Sequence, residues 1–331
     1  PWNFPIAIPA WKSAPALAYG NTVVLKPADL VPATAIALTR IIDESGFPAG
    51  VFNLVIGRGS TVGEAIVQHD GIDAITFTGS ETVGRHIAAV GASRMAPVQL
   101  EMGGKNPLLV VADADLEVAV DVAVNGAFFQ TGQRCTASSR ILVDTSIHDR
   151  FVEMVTERMS RLCVGHALDP GTTIGPVVDE AQLATDERYL EVARSAGGVV
   201  HGGQRIEGTT PGNFLSPALI TGLGNDAVVN REEIFGPVAG VIPVDGYEHG
   251  LALANDTDFG LVAGICTTSL KYAEHFQANA EAGMVMVNLP TAGVDPHVAF
   301  GGRKRSSYGP REQGSTAREF FTHTKTAYVS A

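Results

Sequence analysis

The sequence predicts an α/β protein built on doubly wound parallel sheets, and three observations carry that reading. Short β-branched runs alternate with amphipathic helical stretches through the first hundred residues, the rhythm of βαβ units. Glycine is abundant, 37 of 331 residues, as tight strand-to-helix turns require. The length suggests two domains, and a hydrophobic content of 45% gives them enough apolar surface for a large core.

Taken in order, Thr22-Val23-Val24-Leu25 is a first strand ending at Lys26-Pro27. Pro32 opens a helix with Leu38, Ile41 and Ile42 on one face, closed by Gly46 and Pro48. Residues 51–55 form the next strand, followed by Gly57 and Gly59, and residues 74–77 another. Val83, Ile87 and Val90 stripe the helix after it, and Pro97-Val98-Gln99-Leu100 leads to Glu101. Residues 106–111 read as a buried strand opening a second unit. Leu116, Ala119, Val120, Ala123 and Ala127 then form a helical stripe leading to Cys135, and Phe151, Val155, Met159 and Leu162 stripe a further helix. The Gly-rich, polar stretch 197–212 is expected to be an exposed hairpin or loop. Residues 320–329, rich in Thr, Tyr and Val, suit a strand that adds to another subunit's sheet.

Composition excludes several classes. With 35 acidic against 23 basic residues the net charge is −12, which argues against a nucleic-acid partner. Cys135, Cys163 and Cys266 are odd in number, at spacings that suit neither a disulfide scaffold nor a zinc site. That points to a reducing, cytoplasmic setting, with Cys163 and Cys266 as small buried hydrophobes. No apolar run reaches the ~18–20 residues of a membrane span. None of the nine histidines has metal-ligand spacing, so no metal is expected. The chain opens on Pro1-Trp2-Asn3-Phe4-Pro5, which reads as the middle of a longer protein, incomplete at its N-terminal side.

The chemistry gathers in a few segments. Cys135 lies in Gly132-Gln133-Arg134-Cys135-Thr136, where Arg134 puts a cation next to a thiol that needs one to become a nucleophile. Glu101 ends an apolar strand, where open α/β sheets place their ligands, and partial burial there raises a carboxyl toward a useful general base. Asn3 sits in an extended segment bounded by prolines. A Gly-x-Gly-x-x-Gly fingerprint is absent. In its place Gly79-Ser80 follows a strand and Gly84 lies in the next helix, so the backbone can approach a phosphate at a helix N-terminus. Lys26 stands at another strand end with Asp29 near it, and Glu232-Glu233-Ile234-Phe235-Gly236-Pro237 is a further compact signature.

The segments around Asn3, Glu101 and Cys135 resemble those of the aldehyde dehydrogenase superfamily, and the resemblance runs from residue 1 to 331. It implies that Cys135 is the nucleophile, that Glu101 activates the water that hydrolyses the acyl-enzyme, and that the Asn3 amide joins the Cys135 N–H in holding the oxyanion. Such a donor is typically worth ~2.7–4 kcal/mol of barrier. Glu101 also weighs against the coenzyme A-acylating branch. The cofactor implied is NAD or NADP. Its contacts would be Trp2, Lys26 (adenosine ribose), Asp29, Gly59, Gly79, Ser80, Val83 and Gly84, with Glu233 on the nicotinamide ribose and Phe235 near the ring. Acidic Asp29 favours NAD. Phe129 and Phe300 match positions lining the substrate funnel.

The stretches 288–303 and 306–314 resemble a bacterial subgroup that includes α-ketoglutaric semialdehyde (2,5-dioxopentanoate) dehydrogenases. Aryl-aldehyde and succinic semialdehyde enzymes are the neighbouring alternatives. Two other readings stand beside these: a truncated, non-catalytic fragment, and a cysteine hydrolase or acyltransferase using Cys135 without nicotinamide, for which no motif supplies a histidine base. The expected division is residues 1–103 as the C-terminal part of a cofactor domain, 104–304 as the catalytic domain, 305–316 as a return to the cofactor domain, and 317–331 as an oligomerisation strand. The partners implied are a small-molecule aldehyde and further copies of the chain, in a dimer or tetramer.

Overall fold

The computed structural model describes residues 1–208 and 210–330. The chain forms two compact units, one of Pro1–Met102, Val294–Gly301 and Ser307–Ala331, the other of Gly103–Gly293 and Gly302–Ser306.

In the first unit α1 (Ala7–Ala18), β1 (Val23–Leu25), α2 (Pro32–Glu44), β2 (Phe52–Leu54), α3 (Glu64–Gln68), β3 (Ile75–Thr78), α4 (Glu81–Ser93) and β4 (Val98–Glu101) follow one another. β1 pairs with β2 in parallel, and β3 with β4, placing Thr78 opposite Glu101. Pro32 starts α2, where its fixed φ suits a helix and its missing N–H costs nothing. Ile75, Ile87, Val98, Leu100 and Met102 form a core between α4 and its strands. Two stripe residues depart from expectation: Ile41 is 60% exposed and Val83 45%. β1 and β2 together span only about 10 Å, roughly one helix diameter, so they cannot cover the whole apolar face of α2. Val83 lies in the first turn of α4, at the strand ends rather than over the sheet.

The second unit comprises β5 (Asn106–Val110), α5 (Leu116–Phe128), β6 (Ser138–Asp144), α6 (His148–Ser160), α7 (Glu180–Ser195), β7 (Val199–Gly202), β8 (Ala218–Thr221), α8 (Val228–Arg231), β9 (Val238–Val244), α9 (Gly246–Asn255), β10 (Phe259–Gly260), β11 (Val262–Cys266), α10 (Leu270–Asn279), β12 (Met284–Val287) and β13 (Arg303–Lys304). Its main sheet has the order β12-β11-β5-β6-β9-β8-β7, parallel throughout except for β7. Successive side chains of β5 go to opposite faces, as strand geometry dictates. Leu108 and Val110 join Val120, Ala123 and Phe151 of α5 and α6, while Leu109 joins Tyr247, Leu251 and Phe276 of α9 and α10. Helices thus cover both faces, the doubly wound arrangement expected. Arg140 of β6 is fully buried, its guanidinium satisfied by Asn225 and by the carbonyls of Lys105, Leu253 and Ala254.

The stretch 197–212 takes part in a hairpin, β7 running antiparallel to β8 with Arg205 bridged to Leu215; Thr209 lies outside the described residues. Cys266 is buried in the core as expected, but Cys163 is exposed. Past the end of α6 it is Leu162 that packs inward, and Cys163 falls on the outer side of the turn.

The chain re-enters the first unit at β14 (Ser307–Tyr308), antiparallel to β4 with Ser307 opposite Glu101, and continues to α11 (Arg318–Phe321). The strand expected over residues 320–329 does not form within this chain. Phe320 and Phe321 complete α11 with their rings edge to face, and residues 322–330 make no strand. Thr- and Tyr-rich composition fits a pleated surface, but a strand exists only where another backbone offers its ladder. Among the described residues, no helix is long and apolar enough to cross a membrane.

Candidate active site

In the first unit Glu101 ends β4, the middle strand of β14-β4-β3, and is 3% exposed. The Ser307 hydroxyl on β14 donates to Glu101 Oε2 at 2.6 Å. Gly301, at φ +144°, lets the backbone pass close by: a methyl group there would come within 2.7 Å of Glu101 Oε1 and 2.8 Å of Arg311 Nη1. Beneath lies a polar network. Lys12 of α1 pairs with Glu312 and donates to Thr76 at 2.8 Å; Thr76 donates to Gln99, which donates to the Pro310 and Arg311 carbonyls. Burial holds the Glu101 carboxyl well above the ordinary range, and the neighbouring Glu312 charge pushes it the same way. The Ser307 bond, Lys12 and Arg311 pull against them. A carboxyl so placed releases its proton less readily than a surface one, so its ionised form is the stronger base.

The other sequence-derived residues of this unit stand at the carboxyl ends of parallel strands or in the N-terminal lead. Trp2 and Asn3 precede α1 in irregular backbone. Lys26 follows β1 and donates to the Pro27 carbonyl at 2.6 Å and the Gly57 carbonyl at 3.3 Å. Burial lowers the Lys26 ammonium, and exposed Asp29 opposes that. Gly59 begins the turn after β2. Gly79 donates its N–H to the Glu101 carbonyl at 3.0 Å, tying the turn after β3 to the carboxylate strand. Ser80 occupies the N-cap of α4, but its hydroxyl makes no capping bond. Thr78 Oγ1 is buried without a partner among the described residues. Bare first-turn N–H groups beside an orphaned hydroxyl fit the phosphates of an anionic dinucleotide. Gly84 is buried where α4 packs on Met102.

In the second unit Cys135 lies in the loop between α5 and β6, partly exposed. Its backbone is gripped from several sides. Asn106 Nδ2 donates to the Cys135 carbonyl at 2.7 Å and the Ala137 carbonyl at 2.9 Å, and Asn106 Oδ1 accepts from Val262 N–H at 3.3 Å. Thr291 donates to the Thr136 carbonyl at 2.7 Å. Arg134 turns back to the Asn125 and Gly126 carbonyls at the end of α5, supplying acceptors there with the donors that the helix end lacks. Gln130, Thr131 and Gly132 all have positive φ, and a side chain on Gly132 (φ +63°) would strike the Gly236 carbonyl. Phe129 leads into this loop and packs partly buried against the core.

Glu233 accepts from the Gly104 N–H at 2.8 Å, its carboxylate lying directly on Gly103. Phe235 has φ +64°. Close by in sequence, Lys105 is 1% exposed and its ammonium has no hydrogen-bond partner among the described residues. Burial, helped by Arg140 and opposed by Glu233 and Glu232, brings that amine down to about 7. Among the described residues no group of three or more His, Cys, Asp or Glu could hold a metal ion.

The structure therefore gathers Glu101, Gly79 and Ser80 in one unit, and Cys135, Glu233 and Phe235 in the other. Phe300 is 4% exposed, stacked on Trp11 at 5.7 Å and bridged through its backbone to Glu312. Sequence reasoning missed Lys12, Gln99, Ser307 and Glu312 around the carboxylate, and Asn106 and Thr291 around the cysteine. Asn106 directly follows Glu101-Met102-Gly103-Gly104-Lys105, the segment around the carboxylate, and that adjacency was the available signal. Ser307 and Glu312 lie in the 306–314 stretch that carries the subgroup resemblance, but that resemblance does not specify their contacts with Glu101 and Lys12.

With this geometry in hand, comparison with known proteins is decisive for the class. A model of the aldehyde dehydrogenase family matches residues 1–327, and the chain belongs to that family. It is 44% identical to alpha-ketoglutaric semialdehyde dehydrogenase of Bacillus subtilis (strain 168), with 99% of this chain and 68% of the relative covered. It is 45% identical to alpha-ketoglutarate semialdehyde dehydrogenase of Haloferax volcanii, with 100% and 69% covered. Among solved structures, betaine aldehyde dehydrogenase of Staphylococcus aureus in complex with NAD+ superposes with a TM-score of 0.93 at 35% identity, with 97% of this chain and 64% of that one covered. The chain thus spans about two-thirds of the length of these relatives.

Proposed function

We propose that the chain oxidises an aldehyde to a carboxylic acid with NAD or NADP, its substrate being α-ketoglutaric semialdehyde and its product 2-oxoglutarate. The observation that carries the chemistry is that each unit holds one prepared group: a partly exposed cysteine on a braced loop in one, and a buried carboxyl whose proton is hard to remove in the other. The names of the relatives at 44 and 45% identity support the substrate. The NAD+ complex of the solved neighbour supports a nicotinamide cofactor.

In this mechanism the Cys135 sulfur adds to the aldehyde carbon, and the Asn3 amide and Cys135 N–H hold the oxyanion. A bound nicotinamide supplies the acceptor for the hydride that leaves this carbon. Glu101, oriented by Ser307, takes a proton from water, which attacks the resulting thioester and releases the acid. Trp2, Lys26, Asp29, Gly59, Gly79, Ser80, Val83 and Gly84 would hold the adenosine and phosphate end of the cofactor, and Glu233 and Phe235 its nicotinamide end. Phe129 and Phe300 would line the substrate funnel. Residues 317–331 would serve a homo-oligomer by adding to another subunit.

The test is nicotinamide reduction with α-ketoglutaric semialdehyde, offering NAD and NADP separately, with Cys135→Ala alongside. Cysteine-dependent reduction is expected, and turnover by Cys135→Ala equal to the parent would overturn the assignment. Equal or better rates with betaine aldehyde would overturn the substrate.

A further inference from the structure

The α7 helix reaches the Glu233–Phe235 loop through one face. Gln182, Asp186 and Tyr189 fall at i, i+4 and i+7, a single helical stripe. Gln182 Nε2 donates to the Ile234 carbonyl at 2.8 Å and to Asp186 Oδ1 at 2.9 Å. The Asp186 carboxyl lies directly on Gly236, where any side chain would collide with it. Tyr189 donates to Glu232 Oε2 at 2.5 Å. These three contacts flank Phe235, a bulky residue in the left-handed region at φ +64°. That conformation is costly for a side chain of this size and persists only where the surroundings over-determine it. Gly236 in turn meets Gly132, so the same face backs the cysteine loop.

We infer that the Gln182–Asp186–Tyr189 face of α7 is a clamp that positions Glu233 and Phe235 for the cofactor, with Asp186 as its central positioning residue. The inference rests on the family reading above, because it gives the loop its cofactor role. Asp186 is fully buried, and its Oδ2 has no hydrogen-bond partner among the described residues. Burial, aided by Glu187 and opposed by the Gln182 bond, pushes its carboxyl up to about 7. The other titratable groups on the facing loop are already engaged, Glu232 by Tyr189 and Glu233 by the Gly104 N–H. The neutral acid can rest on Gly236, whereas the ionised form leaves a buried charge with an unsatisfied oxygen. The clamp should therefore hold best below pH 7 and loosen as Asp186 loses its proton.

The test compares the whole chain with Asp186→Asn and Asp186→Leu. Amide hydrogen exchange over residues 232–237 reads the clamp without cofactor, and NADH fluorescence titration on either side of pH 7 reads its consequence. Asp186→Leu should lose protection in this loop and bind NADH roughly tenfold more weakly, the factor that accompanies a lost hydrogen bond's worth of support. Asp186→Asn, an isostere of the neutral acid, should keep protection and flatten the weakening of NADH binding that the parent shows above pH 7. Unchanged exchange in a folded Asp186→Leu, or a parent-like pH dependence in Asp186→Asn, would overturn the clamp. If Asp186→Leu does not fold, the Asp186→Asn profile decides. Failure of the parent to bind NADH at all would strike the family-derived role of the loop, while the exchange data would still report on the clamp.

Discussion

Glu101 and Cys135 sit in different units and are prepared by different physics. Around Glu101 the neighbours that matter are charges and a hydroxyl: Glu312, Lys12, Arg311 and Ser307. Around Cys135 they are backbone shapes, three consecutive residues at positive φ whose carbonyl neighbourhood is pinned by Asn106, Thr291 and Arg134. The setting of Glu101 is an electrostatic construction, sensitive to a single charge. That of Cys135 is a steric one, sensitive to a single methyl group on Gly132.

The strongest break of the comparison is Glu101→Gln. It should leave a burst of nicotinamide reduction while the steady-state rate falls by about a hundred- to ten-thousandfold. Stopped-flow and steady-state assays with the semialdehyde check this, and an unchanged steady-state rate would remove Glu101 from its role. The same variant should be more stable than the parent near neutral pH. A folded-state carboxyl raised above its unfolded value contributes stability that is fully present below the unfolded pKa and lost as pH rises through the folded one. The Tm gap between Glu101→Gln and parent should therefore close on acidification toward the ordinary carboxylate range. A stabilising loss of function of this kind is common at strained sites.

On the steric side Gly132→Ala should be the larger insult. It forces a side chain into positive φ and against the Gly236 carbonyl, on the order of 3 kcal/mol. Denaturant unfolding measures that cost, and iodoacetamide labelling of Cys135 reports the displaced loop. Asn106→Ala should cost less, about 1–3 kcal/mol, by leaving the Cys135 and Ala137 carbonyls without their donor. A parent-like unfolding midpoint would mean that Thr291 and Arg134 suffice.

The smallest and sharpest tests move the base without touching it. Glu312→Gln removes a like charge and should carry the pH dependence of the steady-state rate toward acid. Ser307→Ala removes a bond to the ionised form and should carry it toward alkali. Opposite displacements are the signature of an electrostatic base; two shifts of the same sign would contradict it.

Much of the fold was legible because local chemistry enforces it. The continuously buried run 106–111, the helical stripe from Leu116 to Ala127 and the Pro32 helix start all express rules that act within a few residues. The terminal segment is the complementary case: residues 322–330 form no strand within this chain, and a ladder partner on another subunit is not a property of their own residues. In the site, Cys135, Glu101 and Gly132 stood out because their segments are locally unusual. Glu312 and Ser307 are 300 and 206 residues from the groups they contact, Lys12 and Glu101, and no local pattern in the 306–314 stretch specifies those contacts.

By itself, then, the sequence determined the doubly wound architecture, the family and the identity of the candidate nucleophile and base, since each is written in short-range pattern. Only the tertiary structure decided which way its neighbours push the Glu101 carboxyl, what braces the cysteine loop, and that a buried Asp186 backs the Glu233–Phe235 loop. Desolvation and Coulomb interactions depend on which distant side chains share a low-dielectric interior, and that sharing exists only once the chain has closed on itself.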